Sequence, residues 1–73
     1  MESLMVGQRY RMKTPTLAIL VQGGERVPMT IPSSGIVRVL RQNHFDIHQV
    51  DVEWEGKVML MFAVDLRDRG ELV

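Results

Sequence analysis

The chain contains no cysteine, and only one tryptophan, one tyrosine and two phenylalanines among its 73 residues. Without cysteine there is no disulfide framework and no thiolate nucleophile, and the composition fits a reducing compartment. A charge imbalance is missing too: nine Lys and Arg balance nine Asp and Glu. Dedicated nucleic-acid binders are usually basic, because phosphate neutralisation drives their affinity, so neutrality counts against that class. No apolar run reaches membrane-spanning length. The start, Met1-Glu2-Ser3-Leu4-Met5, lacks the basic region and apolar core of a signal peptide, which makes the cytoplasm the expected location. A sustained 3.6-residue apolar period is absent as well, so little helix is expected.

What remains is enough for one small domain. Domains of this size bury a modest fraction of their surface and are marginal alone. Disulfides, a metal or oligomerisation are the usual supports. With disulfides excluded and few metal ligands available, self-association is the expected support.

The pattern along the chain is one of short strands and turns. Residues 1–7 read as a tail and 8–73 as the folded unit. Gln8 to Lys13 alternates Arg9, Arg11 and Lys13 with Tyr10 and Met12. Thr14-Pro15-Thr16 interrupts it, and Leu17 to Val21 is a second apolar run. Gly23-Gly24 supplies a turn, since paired glycines accept positive φ at little cost. Val27 to Ile31 follows as a strand in which Pro28 implies an edge or a bulge. Pro32-Ser33-Ser34-Gly35 is a further turn, then Ile36 to Leu40 a strand and Arg41 to His48 a polar loop. Asp65 to Arg69 fits one helical turn, and Glu71 to Val73 a short closing strand. Turns every 8–12 residues favour a small barrel or sandwich.

The most informative stretch is Val50 to Phe62, a β-hairpin signature with more apolar side chains on its second strand than one core face can absorb. Two registers are open. If Trp54-Glu55-Gly56 is a three-residue loop, Glu53 opposes Lys57, and Met59 and Met61 point outward beside Asp51. If the loop is Glu55-Gly56 alone, Met59 and Met61 join Val50, Val52 and Trp54. The first is preferred, because it pairs opposite charges and gathers Val50, Val52, Val58, Leu60 and Phe62 in the core. Val52 and Leu60 are expected in the core in either register, and Met59, Met61 and Trp54 are the candidate partner-binding residues. Methionine adapts well to contact surfaces.

The segments Ile31-Pro32-Ser33-Ser34-Gly35-Ile36-Val37, Val50 to Lys57 and Asp65-Leu66 together resemble the layout of small bacterial SH3-like barrels. Two strands flank a tight turn, a hairpin follows, and a short helical turn leads to a closing strand. The resemblance covers residues 8 to 73. It implies an all-β SH3-like barrel of five or six antiparallel strands and no particular activity. The aromatic cluster that grips proline-rich peptides and the glycine pattern of ribosome-associated KOW motifs are both missing.

Other chemistry is thinly represented. His44 and His48 flank Asp46, but in a loop that spacing fixes no ligand geometry, and no metal or cofactor is expected. Ser33 and Ser34 are ordinary turn residues with no base tied to them, so no catalytic residue is expected and the chain reads as a non-enzyme. Arg9, Arg11 and Lys13 share a strand face and form the alternative, a nucleic-acid-binding stripe. Tyr10 points to the other face and cannot stack bases there. The expected function is a non-catalytic module that self-associates or binds a protein partner.

Overall fold

The computed structural model describes residues 6–42 and 48–73. Seven strands and one helix run in the order β1 (Arg9–Met12), β2 (Thr16–Gln22), β3 (Glu25–Ile31), β4 (Ile36–Gln42), β5 (Gln49–Trp54), β6 (Lys57–Phe62), α1 (Ala63–Arg69) and β7 (Gly70–Leu72). All strand pairs are antiparallel, and the sheet order is β3-β2-β6-β5-β4-β1-β7. The protein is therefore all-β with one short helix. The described residues form seven strands where five or six are expected. The runs around 17–21 and 27–31 form a complete hairpin, and the C-terminal residues pair with β1.

The sheet curls about one core. Met12 of β1 and Ile31 of β3 stand near opposite ends of the strand order, yet both are buried in a single cluster with Val37, Val39, Val50, Val52 and Leu66. Backbone bonds fasten the curl: the Met12 N–H donates to the Gly35 carbonyl at 2.8 Å, and the Ser34 N–H donates to the Met12 carbonyl at 2.7 Å. The end strands β3 and β7 do not pair with each other. Helix α1 sends Ala63 and Leu66 into the core while Arg67 and Arg69 end it in solvent. Basic side chains in a last turn oppose the partial negative charge of the exposed carbonyls.

Both tight hairpins use two-residue loops with positive φ at each position: Gly23 (59°) and Gly24 (81°), and Glu55 (51°) and Gly56 (79°). Such type I′ turns match the right-handed twist of the strands they join. The second loop decides the register of the central hairpin. Trp54 pairs with Lys57, Val52 with Met59, and Val50 with Met61. The expected three-residue loop is thus replaced by the shorter one, and the parity of β6 is reversed. Glu53 finds its cation without Lys57, because Arg38 on β4 donates to it at 2.6 Å. The ion pair that favoured the longer loop is worth only about 0.2–1 kcal/mol, and Arg38 supplies an equivalent one.

Pro28 sits on β3, an edge strand of the sheet. In a two-residue hairpin the closing pair is hydrogen-bonded, and bonded and non-bonded pairs then alternate. Counting from Gln22–Glu25, the Ile19–Pro28 pair is non-bonded. The missing N–H of Pro28 therefore falls on the free edge, where no ladder bond is lost.

Candidate interaction face

Reversing β6 moves the candidate surface. Met59 and Met61 are 0% and 2% exposed and belong to the core, which corrects the expectation that they point outward. Trp54 is half-buried on the same inner side, packed against the core cluster. A β-carbon on Gly35 would lie 3.3 Å from its indole Nε1, so the turn after β3 closes directly over the ring. These three residues do not form an outer surface. Val52 is buried as expected, whereas Leu60 is only half-buried.

The outer face of β6 is instead Val58, Leu60 and Phe62, and its neighbour β2 presents Leu17, Ile19 and Val21. Ile19 pairs with Leu60. Leu17 and Phe62 line one groove together with Ile19 and Leu60, and Val21 and Val58 line another with Leu60. Leu17, Val21, Val58 and Phe62 each expose close to half of their surface, from 47% to 50%. Two shallow grooves flank Leu60. One is bounded by Leu17, Ile19, Phe62, Gln49 and Arg26. The other is bounded by Val21, Val58, Asp51 and Arg41. The patch is contiguous and is rimmed by the polar groups Arg26, Gln49, Arg41 and Asp51.

The apolar half ends sharply at β5. From there the same outer face is mainly ionic, with Ile36, opposite Arg11, an exposed apolar residue on it. Glu53 accepts from Arg38 at 2.6 Å and Asp51 from Arg41 at 2.5 Å, while Arg11 and Glu71 approach to 3.5 Å across β1 and β7. The division follows from local sequence. Strand β5 alternates Val50 and Val52 with Asp51 and Glu53, so it has one wet face, and β4 sends Arg38 and Arg41 to that face on either side of a bulge. Strands β2 and β6 are apolar at consecutive positions, so each has two dry faces, and the fold pairs them with one another.

The basic stripe is also placed. Arg9 and Arg11 lie on the outer face, with Tyr10 turned to the core as expected. Arg9 stands opposite Arg38, and Arg11 opposite Ile36. Lys13 follows the end of β1, where its N–H donates to the Arg69 carbonyl at 2.7 Å. Of the four arginines on this part of the face, Arg11, Arg38 and Arg41 face carboxylates. The stripe is therefore a mixed-charge ladder rather than a continuous cationic track.

His44 and Asp46 lie outside the described residues. The backbone carbonyl of His48 accepts from the Ala63 N–H at 2.7 Å, which ties the start of β5 to the start of α1. Among the described residues no three His, Asp or Glu side chains converge as metal ligands would. Nor, among those residues, is any helix long and apolar enough to cross a membrane. The residues that sequence reasoning missed are Leu17, Ile19, Val21 and Arg26. Their signal was a second unbroken apolar run, Leu17 to Val21, matching that of β6.

No protein family, curated protein or solved structure matches this chain.

Proposed function

We propose that this chain is a non-catalytic interaction module on an SH3-like barrel, working in the cytoplasm. It contacts another protein chain, a copy of itself included, through the outer face of β2 and β6. The observation that carries this reading is the outward apolar patch built by Leu17, Ile19, Val21, Val58, Leu60 and Phe62 on two paired strands. The barrel reading is supported by the strand order β7-β1-β4-β5-β6, by the continuous meander β4–β5–β6, and by the helix that precedes β7. Hairpin β2–β3 then extends that five-strand unit along β6.

The nucleic-acid alternative draws on Arg9, Arg11 and Lys13. It has less support, because Glu71 of β7 faces Arg11 and Glu53 of β5 holds Arg38, the residue opposite Arg9. Salt separates the two readings. Phosphate contacts weaken steeply as salt rises, while an apolar contact barely responds. A Leu17→Lys/Phe62→Lys variant should keep its far-ultraviolet spectrum and lose association with protein. An Arg9→Ala/Arg11→Ala variant should keep that association. Tight, salt-sensitive binding of labelled oligonucleotides, abolished by the arginine substitutions, would overturn the proposal.

A further inference from the structure

Resting on that reading of the β2–β6 face, we infer that its occupant is a segment of a partner protein in which an apolar side chain stands next to a carboxylate. The apolar side chain enters the groove between Leu17 and Phe62, and the carboxylate meets Arg26. The walls and floor of this groove are Leu17, Ile19, Leu60 and Phe62, with Arg26 at its β3 side and Gln49 at its β5 side. Among the described residues Arg26 is the one charged group that lines it. It is exposed, and no carboxylate of the described chain pairs with it.

Charge complementarity names the occupant. In the second groove, on the other side of Leu60, Asp51 accepts from Arg41 and cancels its charge. The first groove keeps a positive charge over an apolar floor, so the two attract different groups although one leucine lines both. A guanidinium presents a fork of donors that a carboxylate accepts through two parallel bonds. Phosphates carry about −1.5 to −2 charges and are taken by clustered arginines, whereas a lone cation matches a single carboxylate. The amide of Gln49 supplies a further donor from the opposite wall.

Shape decides between a free small carboxylate and a protein segment. The groove spans about 350 Å³ and lies open to solvent. Small-molecule sites bury about 70–90% of their ligand. Here Leu17 and Phe62 stay 50% and 47% exposed, too open for that. A chain segment gains what the groove alone does not give, because its next residues continue over Leu60 towards Val21 and Val58. One exposed ion pair adds little, so the association is weak.

The test is selection of random peptides, displayed in many copies to retain weak binders, on the full wild-type chain and on Arg26→Glu. Peptides from the wild type should join an apolar residue to an acidic one, and those from Arg26→Glu should carry a basic residue instead. With the selected peptide added to about 1 mM, amide chemical shifts of the labelled chain should move at Leu17, Ile19, Leu60 and Phe62. Arg26→Gln, or an amide in place of the peptide's acid, should each weaken binding about threefold, and the two together no further. High salt should erase the difference. The change in the peptide leaves the protein untouched, so it decides the matter even where a variant misfolds. Selected peptides that lack an acid and still move these amides overturn the inference and leave the reading of the face standing. Octanoate binding as tightly as the peptide overturns it too, by making the occupant a small molecule. Self-association of the free chain that moves the same amides, with no peptide selected, makes the occupant a second copy and sinks the inference alone. If neither a peptide nor a second copy moves them, both fall.

Discussion

A β-carbon added to Gly70 would lie 2.7 Å from the Leu66 carbonyl oxygen and 3.3 Å from the Met12 sulfur. The φ of Gly70 is −114°, a value any residue adopts, so space rather than conformation demands glycine here. Its N–H bonds that same Leu66 carbonyl, which closes α1 as the chain turns into β7. Gly70→Ala must push the helix end from the sheet, and should cost about 1–3 kcal/mol in urea unfolding. Glu55 presents the opposite case, a side chain held at φ 51° where L-residues are strained. Asparagine tolerates that region and forms the preferred pair with a following glycine. Glu55→Asn should therefore stabilise the protein by about 0.5–1 kcal/mol, read as a raised denaturation midpoint with an unchanged slope. Met59 and Met61 give the sharpest residue-level check on the register. Two lysines in their place would bury charge with no partner. The double Met59→Lys/Met61→Lys variant should not fold, and a native-like near-ultraviolet spectrum would show the register to be wrong.

At the scale of elements, β3 shows how an exposed strand is kept from recruiting another. It is seven residues long and at the edge of the sheet, which would invite edge-to-edge pairing. Pro28 removes the central donor from that free edge, and Arg26 adds charge beside it. Pro28→Val restores the donor and raises β-propensity. The variant should fold and should scatter light increasingly with concentration and time, while the parent stays clear. The central hairpin carries a second lesson. A β-strand has a side-chain period of two, so one residue more or less in its turn exchanges every inward and outward position. The loop Glu55-Gly56 thereby decides at a distance that Phe62 is wet and Met61 dry.

Across the whole molecule the outer surface divides into an apolar half on β2 and β6 and an ionic half on β5, β4, β1 and β7. Three of the chain's nine Lys and Arg face carboxylates on this ionic half. Exposed pairs of this sort contribute about 0–1 kcal/mol each, so stability rests on the single buried cluster. Raising salt should screen the ionic half and leave the melting temperature nearly unchanged. Oligonucleotide binding measured by anisotropy should be weak at physiological salt, because Arg11, Arg38 and Arg41 already face carboxylates. Sub-micromolar binding with a steep salt slope would contradict this.

Much of this was legible along the chain. Period-2 alternation, paired glycines and Pro28 determined an all-β fold, the approximate positions of its strands and an edge or bulge at Pro28, and Asp65 to Gly70 marked the helical turn before the closing strand. These features are local: turn chemistry and strand period act over a few residues. The chain also determined that β6 holds more apolar side chains than one face can bury. Which of them are buried was not local. Glu53 could pair with Lys57 or with Arg38, and only the fold brings Arg38, 15 residues away, to 2.6 Å. Likewise, the run Leu17 to Val21 becomes an outer surface only because β2 lies beside β6, a pairing across about 40 residues that no local pattern encodes. The tertiary structure alone therefore decided that the two dry-faced strands share one patch, with Leu17, Val21, Val58 and Phe62 outward and the methionines within.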